Sequence, residues 1–189
     1  MHISPRVDNA VRILLEIARA QPDAPGVEQA SLKAESIAAA QSIPPKILEA
    51  TAAQLRRAGL VTSRRGPEGG YRLARPAAQI SIADVIRAME GPLASVRGQR
   101  PEDVTYSGVG EPLQRVWIAL RVNIRAVLEQ VSIGQIATGD LPEFIDELTA
   151  DPGAWERRGG PDADASPDGI PPEDISRDGL AANTGGAGG

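Results

Sequence analysis

Apolar residues recur three or four positions apart at Val7, Val11, Leu14 and Ile17/Ala18, so Arg6 to Ala20 is predicted to be an amphipathic helix. It is stopped by Gln21-Pro22-Asp23-Ala24-Pro25-Gly26. A short second helix is expected from about Leu32 to Ala40, around Ile37. The turn Gln41-Ser42-Ile43 leads into Pro44-Pro45, where proline suits the first turn of a third helix. That helix carries Ile47, Leu48, Ala52 and Leu55 and stops at Gly59, a residue suited to the left-handed position after a helix end. Leu60–Ser63 and Tyr71–Ala74 then form two short extended segments. The stretch between them, Arg64-Arg65-Gly66-Pro67-Glu68-Gly69-Gly70, marks a β-hairpin with a glycine-rich tip. Three helices followed by such a hairpin define a winged helix-turn-helix, whose third helix enters the DNA major groove.

Beyond the hairpin, Ser81 is placed to cap a helix over Ile82–Glu90, with Asp84 completing a short relative of the capping box and Gly91-Pro92 ending it. A polar loop rich in Gly and Pro spans residues 94–110, and from Glu111 a long helix is predicted to about Ser132. Its apolar positions Leu113, Val116, Trp117, Leu120, Ile124, Val127, Leu128 and Val131 form a sustained seam. The DNA-binding unit is complete before this seam begins, so a second copy of the chain is its natural partner. Packing against the chain's own first helix is the alternative, and a division between the two is expected. Glu143, Asp146 and Glu147 fall on a short polar helix and read as ordinary surface.

Composition narrows the picture. With 41% hydrophobic but only 3% aromatic residues, the core must be built from Ala, Val, Ile and Leu. That favours closely packed helices over an all-β sandwich, a mainly α fold with one small hairpin. The net charge of −5 hides a split: residues 1–100 carry 14 Lys/Arg against 9 Asp/Glu, and residues 101–189 carry 6 against 16. Residues 150–189 hold 5 Pro, 9 Gly and 8 acids against 3 bases, too little apolar surface to offset ordering entropy, so a disordered acidic tail is expected. It either competes with DNA for the basic face or is simply solvated. Three regions follow: a winged helix-turn-helix over 1–92, a loop with long dimerisation helix and short terminal helices over 93–149, and the tail over 150–189.

The chain has no cysteine, which excludes disulfides, thiolate nucleophiles and thiolate metal sites. Its start lacks the pattern of a signal peptide, and no window approaches ~18 uninterrupted apolar residues. A cytoplasmic protein without membrane contact is expected. The single histidine, His2, lies at the very start, and no Ser/His/acid set, P-loop or metal-ligand spacing occurs, so no enzyme is expected.

The stretches Leu55–Val61, Arg64–Ala74 and Ile80–Pro92, together with Ile3-Ser4 through Val11-Arg12, resemble the Rrf-two type winged-helix transcriptional regulators, the family of IscR and NsrR. The resemblance covers roughly residues 1–140. It implies a homodimeric repressor on a partly palindromic operator, with the recognition helix in the major groove, the wing in the minor groove and a long helix making the dimer. It also implies, for many members, an iron–sulphur cluster held by three cysteines in the loop before the dimer helix. Here that loop, about Ser95 to Gly110, has none, so no such cofactor is expected and the effector, a small molecule or a partner protein, is left open.

Between Pro44 and Pro76 the bases Lys46, Arg56, Arg57, Arg64, Arg65, Arg72 and Arg75 face only Glu49 and Glu68. Such a cluster attracts phosphate by Coulomb force and counterion release; the alternative is a solvated surface whose arginine stems cover apolar residues. Lys46 and Glu49 fall where a recognition helix reaches base edges, Lys as donor to guanine and Glu as acceptor from cytosine. The resemblance supports Glu49 as a base reader; otherwise it only favours the helix N-terminus. The resemblance also matches Arg65 to a wing arginine entering the minor groove, which a narrow, electronegative groove would favour. Gly66, Gly69 and Gly70 allow a tight tip, and Tyr71 and Arg72 complete the predicted DNA-facing set. A winged helix used only for protein contact is the competing function, and an arginine-rich hairpin tip argues against it. A ligand site in the loop near Trp117 is open, though an indole there also reads as core.

Overall fold

A computed structural model describes residues 2–21, 31–66 and 69–156. Helix α1 (Pro5–Ala20) starts at Ser4, whose hydroxyl accepts from the Val7 amide, and it buries Val7, Ala10, Ile13, Leu14, Ile17 and Ala18. This stripe makes α1 the centre of the core. Every element of the winged-helix unit that carries a buried apolar face packs on it or on a neighbour that does.

Helix α2 (Ala34–Gln41) ends at Ser42 in the left-handed region, φ 52°, and the turn delivers the chain to α3 (Pro45–Arg57). Helix α3 buries Leu48, Thr51, Ala52 and Leu55. Ile47, counted with the buried stripe on spacing alone, is 46% exposed, because the buried face is centred on Leu48 and Leu55. Gly59 adopts φ +70°, the left-handed position expected after the helix. Strands β1 (Val61–Arg64) and β2 (Gly70–Leu73) pair antiparallel, with Val61 opposite Leu73 and Arg64 opposite Gly70. Leu32, just before α2, exchanges main-chain hydrogen bonds of 3.0 and 2.8 Å with Tyr71, which stitches the hairpin to the helical unit.

Helix α4 (Ile82–Glu90) carries the expected capping box: the Asp84 amide donates to Ser81 Oγ at 3.1 Å, and the Ser81 amide to Asp84 Oδ2 at 3.2 Å. The order of three helices, hairpin and α4 is a winged helix. After a loop with a 3-10 turn at Pro101–Asp103 comes α5 (Leu113–Leu128).

The single helix predicted from Glu111 to Ser132 is two. Helix α5 ends at Leu128, and Ser132 caps a new helix, α6 (Ile133–Thr138), reciprocally with Gln135. The break has a physical cause: residues 131–133 pair with residues 80–82. The Ile82 amide donates to the Val131 carbonyl at 3.0 Å, and the Ile133 amide to the Ile80 carbonyl at 2.8 Å. Val131, expected on the seam, is therefore buried within its own chain, and Ile133 is fully buried in the core with α1. The core begun by residues 1–92 thus includes a helix from far downstream. Glu143, Asp146 and Glu147 lie on the exposed side of α7 (Glu143–Thr149). The stop predicted at 22–26, Pro67 and Glu68 of the wing tip, and residues 157–189 of the expected tail lie outside the described residues, while the first residues assigned to that tail, 150–156, form a 3-10 turn at Pro152–Ala154 with the Trp155 indole donating to the Thr149 carbonyl.

Candidate nucleic-acid interface

Because one face of α3 is committed to the core, its other face must point outward. Lys46, Glu49 and Ala50 are exposed in the first turn and a half, and Arg56 and Arg57 at its end. Three residues apart, Lys46 and Glu49 share a face. Arg56 donates to Ser63 Oγ at 3.1 Å, tying the end of α3 to β1. Among the described residues, no carboxylate lies in ion-pair reach of Lys46, Arg56, Arg57, Arg64 or Arg65. By contrast Arg12, Arg19, Arg75, Arg87, Arg121 and Arg125 each have one. Unpaired cations gathered on one surface repel one another, and a polyanion relieves that repulsion.

The wing adds a cleft of about 450 Å³ between the hairpin and the start of α2, lined by Lys33, Ser63, Arg64, Arg65, Gly69 and Gly70 among others. Lys33 lies outside the basic stretch between Pro44 and Pro76, and the fold brings it beside Arg64. Its signal was its place immediately before the first turn of α2. Two glycines are demanded by backbone crowding: a Cβ on Gly69 would lie 2.4 Å from the Arg64 carbonyl oxygen, and one on Gly70 2.5 Å from that of Leu32. Gly66 closes the tip, accepting from the Gly69 amide at 2.8 Å.

Three further residues of the basic stretch have partners within the fold, although Tyr71 also lines the wing cleft. Tyr71 packs half-buried against the core. Arg72 Nε donates to Ser31 Oγ at 2.9 Å, and Arg75 is paired with Asp84 at 2.7 Å. Nothing in the spacing of the seven bases separates these two from the free ones.

The family model described as "Rrf2: Iron-dependent Transcriptional regulator" matches residues 3–139. The chain belongs to the Rrf2 family. It is 45% identical over 156 residues to Rv1287 of Mycobacterium tuberculosis strain H37Rv, a protein named as an HTH-type transcriptional regulator; the match covers 82% of this chain and 93% of that one. It is 33% identical to the HTH-type regulator CymR of Bacillus subtilis over 73% of this chain and 91% of CymR. Among solved structures, CymR, titled the global cysteine regulator of B. subtilis, superposes with a TM-score of 0.59 at 28% identity, over 74% of this chain and 98% of that one. IscR of T. potens follows at 0.57 and 26%, over 74% and 88%. These relatives are regulators rather than enzymes, and the winged helix is their DNA-binding fold.

Within this Rrf2 chain, α5 has no buried residue at all. Leu113, Val116 and Leu120 are 36%, 55% and 48% exposed. Trp117, Ile124, Val127 and Leu128 are half-buried. The seam is therefore split, but its intrachain edge rests on the chain's own loop and α4 rather than on the first helix as expected: Trp117 Nε1 donates to the Tyr106 hydroxyl at 3.1 Å, and the other edge is open. Arg121 binds the Glu102 carboxylate across the loop. Glu129 sits between Arg87 of α4 and Arg125, whose guanidinium groups hold its carboxyl below the ordinary range.

The family description speaks of iron, and a cluster ligated by cysteines does not fit a chain that has none. The loop before α5 offers no thiolate. Among the described residues no three His, Cys, Asp or Glu side chains are gathered to hold a metal. Also among them, no helix is long and apolar enough to cross a membrane.

Proposed function

We propose that this chain is a cytoplasmic transcriptional repressor that binds a partly palindromic operator as a homodimer. Helix α3 enters the major groove and the wing the adjacent minor groove. The observation that carries the proposal is the gathering of exposed, carboxylate-free cations on α3 and the wing, whereas six of the other described arginines are paired with carboxylates. Lys46 donates to a guanine edge, Glu49 accepts from a cytosine amino group, and Arg65 reads a narrow minor groove. Lys33, Arg57 and Arg64 hold phosphates and set the register. The open edge of α5 supports pairing with a second copy by two-fold symmetry, which doubles the half-site. Without thiolates, regulation proceeds without a cysteine-ligated cluster.

The test is selection from a pool of genomic fragments at two salt concentrations, with Arg65→Ala alongside. Enrichment of a two-fold-symmetric motif that Arg65→Ala weakens is expected. Absence of enrichment, with little dependence on salt, refutes the proposal in favour of a protein-contact module.

A further inference from the structure

A cleft of about 580 Å³ opens between the loop that follows α4 and the inner edge of α5. Its walls are apolar, with Leu93, Val96 and Pro101 on the loop side and Trp117, Leu120 and Ile124 on α5; the single charged residue lining it is Arg97. This volume falls in the range of sites that hold small organic ligands, which are mostly apolar with a few polar groups fixing orientation.

Arg97 is presented unusually. Val96 and Gln99 exchange main-chain hydrogen bonds of 2.9 and 3.0 Å, and the two residues between them, Arg97 and Gly98, have φ +53° and +77°. A two-residue turn with both φ positive is the kind that favours Asn-Gly, and an arginine in its first position is strained. The guanidinium lies over the Tyr106 ring, 5.5 Å from its centroid, and Tyr106 in turn accepts from Trp117 in the cleft wall. No carboxylate among the described residues lies in ion-pair reach of Arg97. Asp103 borders a neighbouring hollow beside it without pairing.

An apolar pocket with one unpaired guanidinium at its edge is complementary to a hydrocarbon or aromatic body bearing one carboxylate. We propose that this cleft is an effector site for a small amphipathic monocarboxylic acid. The carboxylate sits on Arg97 and the apolar body lies against Trp117 and Ile124. The regulatory part of the proposal rests on the DNA-binding function. Its route is short: the loop wall begins at the Gly91 cap of α4, and Gln54 of α3 donates to the carbonyls of Ala88 and Met89 in the last turn of α4 at 3.0 and 3.1 Å. The opposite wall is α5 itself, so an occupant touches both the loop that leaves α4 and the dimer helix.

The full chain carrying Trp155→Phe retains Trp117 as its only indole. Its emission is titrated with phenylacetate, 4-phenylbutyrate and octanoate, and with the matching neutral alcohols. A saturable change is expected, with the best acid binding at least about tenfold tighter than its alcohol, as a charge-assisted hydrogen bond provides. Arg97→Asn should abolish that preference while the thermal midpoint is kept or raised, since Asn suits the turn. A merely structural arginine would not separate the two readouts. Saturating acid should then shift the affinity for the selected DNA fragment at least threefold.

The site is overturned by no saturable change with any acid, by equal binding of acids and alcohols, or by a preference that survives Arg97→Asn. It is equally overturned if the acids bind only after Val116→Glu splits the dimer, because a second copy then fills the cleft. Acid binding without any effect on DNA affinity overturns the effector role. Acid binding by a chain that holds no DNA at all supports the site and instead refutes the repressor.

Discussion

Replacing Arg64 by Gln should change how DNA affinity depends on salt in a way that replacing Arg75 does not. On α3 and the hairpin, Arg56 is tied to Ser63, which leaves Lys46, Arg57, Arg64 and Arg65 as exposed cations with no carboxylate partner among the described residues, each free to displace a counterion from DNA. A dimer then brings about eight such contacts, for a slope of log affinity against log salt near −7 and a fall of about 10⁴-fold between 50 and 200 mM salt. Arg64→Gln removes two contacts, which brings the slope to about −5.5 and the fall to about 10³-fold. Arg75 is already neutralised by Asp84 at 2.7 Å, so Arg75→Gln should leave the slope within about half a unit. Fluorescence anisotropy of a labelled operator fragment at four salt concentrations measures all three slopes. A wild-type slope in Arg64→Gln, or equal flattening in Arg75→Gln, would refute the division of the basic cluster into free and committed members.

Val116→Glu, on the open edge of α5, should weaken dimerisation by about 100-fold, since a symmetric interface meets the unpaired charge twice; sedimentation would then show monomers at micromolar concentration. Val122→Glu, similarly exposed but about 120° round α5 from Val116 and facing away from the seam, should leave the protein dimeric. Gly134→Ala should destabilise the fold by on the order of 1 kcal/mol in urea melts. Its Cβ would lie 2.9 Å from the Ala78 amide nitrogen, a backbone clash that outweighs the gain in helix propensity. Glu129, whose carboxyl Arg87 and Arg125 hold low, stabilises the α4–α5 junction at pH above the ordinary glutamate value of about 4.3 and loses that effect as pH falls through its lowered value. Glu129→Gln should therefore flatten the acid limb of a stability-against-pH curve, and an unchanged limb would show that the pair contributes nothing.

Elements with local signals were legible along the chain. The capping pair Ser81/Asp84, the proline start of α3, the glycine after it and the glycine-rich wing each depend on residues a few positions apart, and each formed where its signal lay. Ser132 and Gln135 carried the same kind of signal, but the apolar seam running up to Val131 masked it. The interface was half legible. Charge density located α3 and the wing, while the ion pair that removes Arg75, the hydroxyl that holds Arg72 and the place of Lys33 beside Arg64 join residues from 9 to 41 positions apart. A similar distance in sequence separates the cleft's two walls, whereas the turn that bears Arg97 is local and lacks a sequence signal because an arginine stands where such a turn favours Asn. Periodicity, caps and turn residues act within a turn or two of chain, so they were enough for the winged-helix order and its basic face. Which cations stay free, where α5 ends and which of its apolar residues remain uncovered depend on what the remote strand, loop and helix present across the fold. Only the packed structure brings those partners within reach.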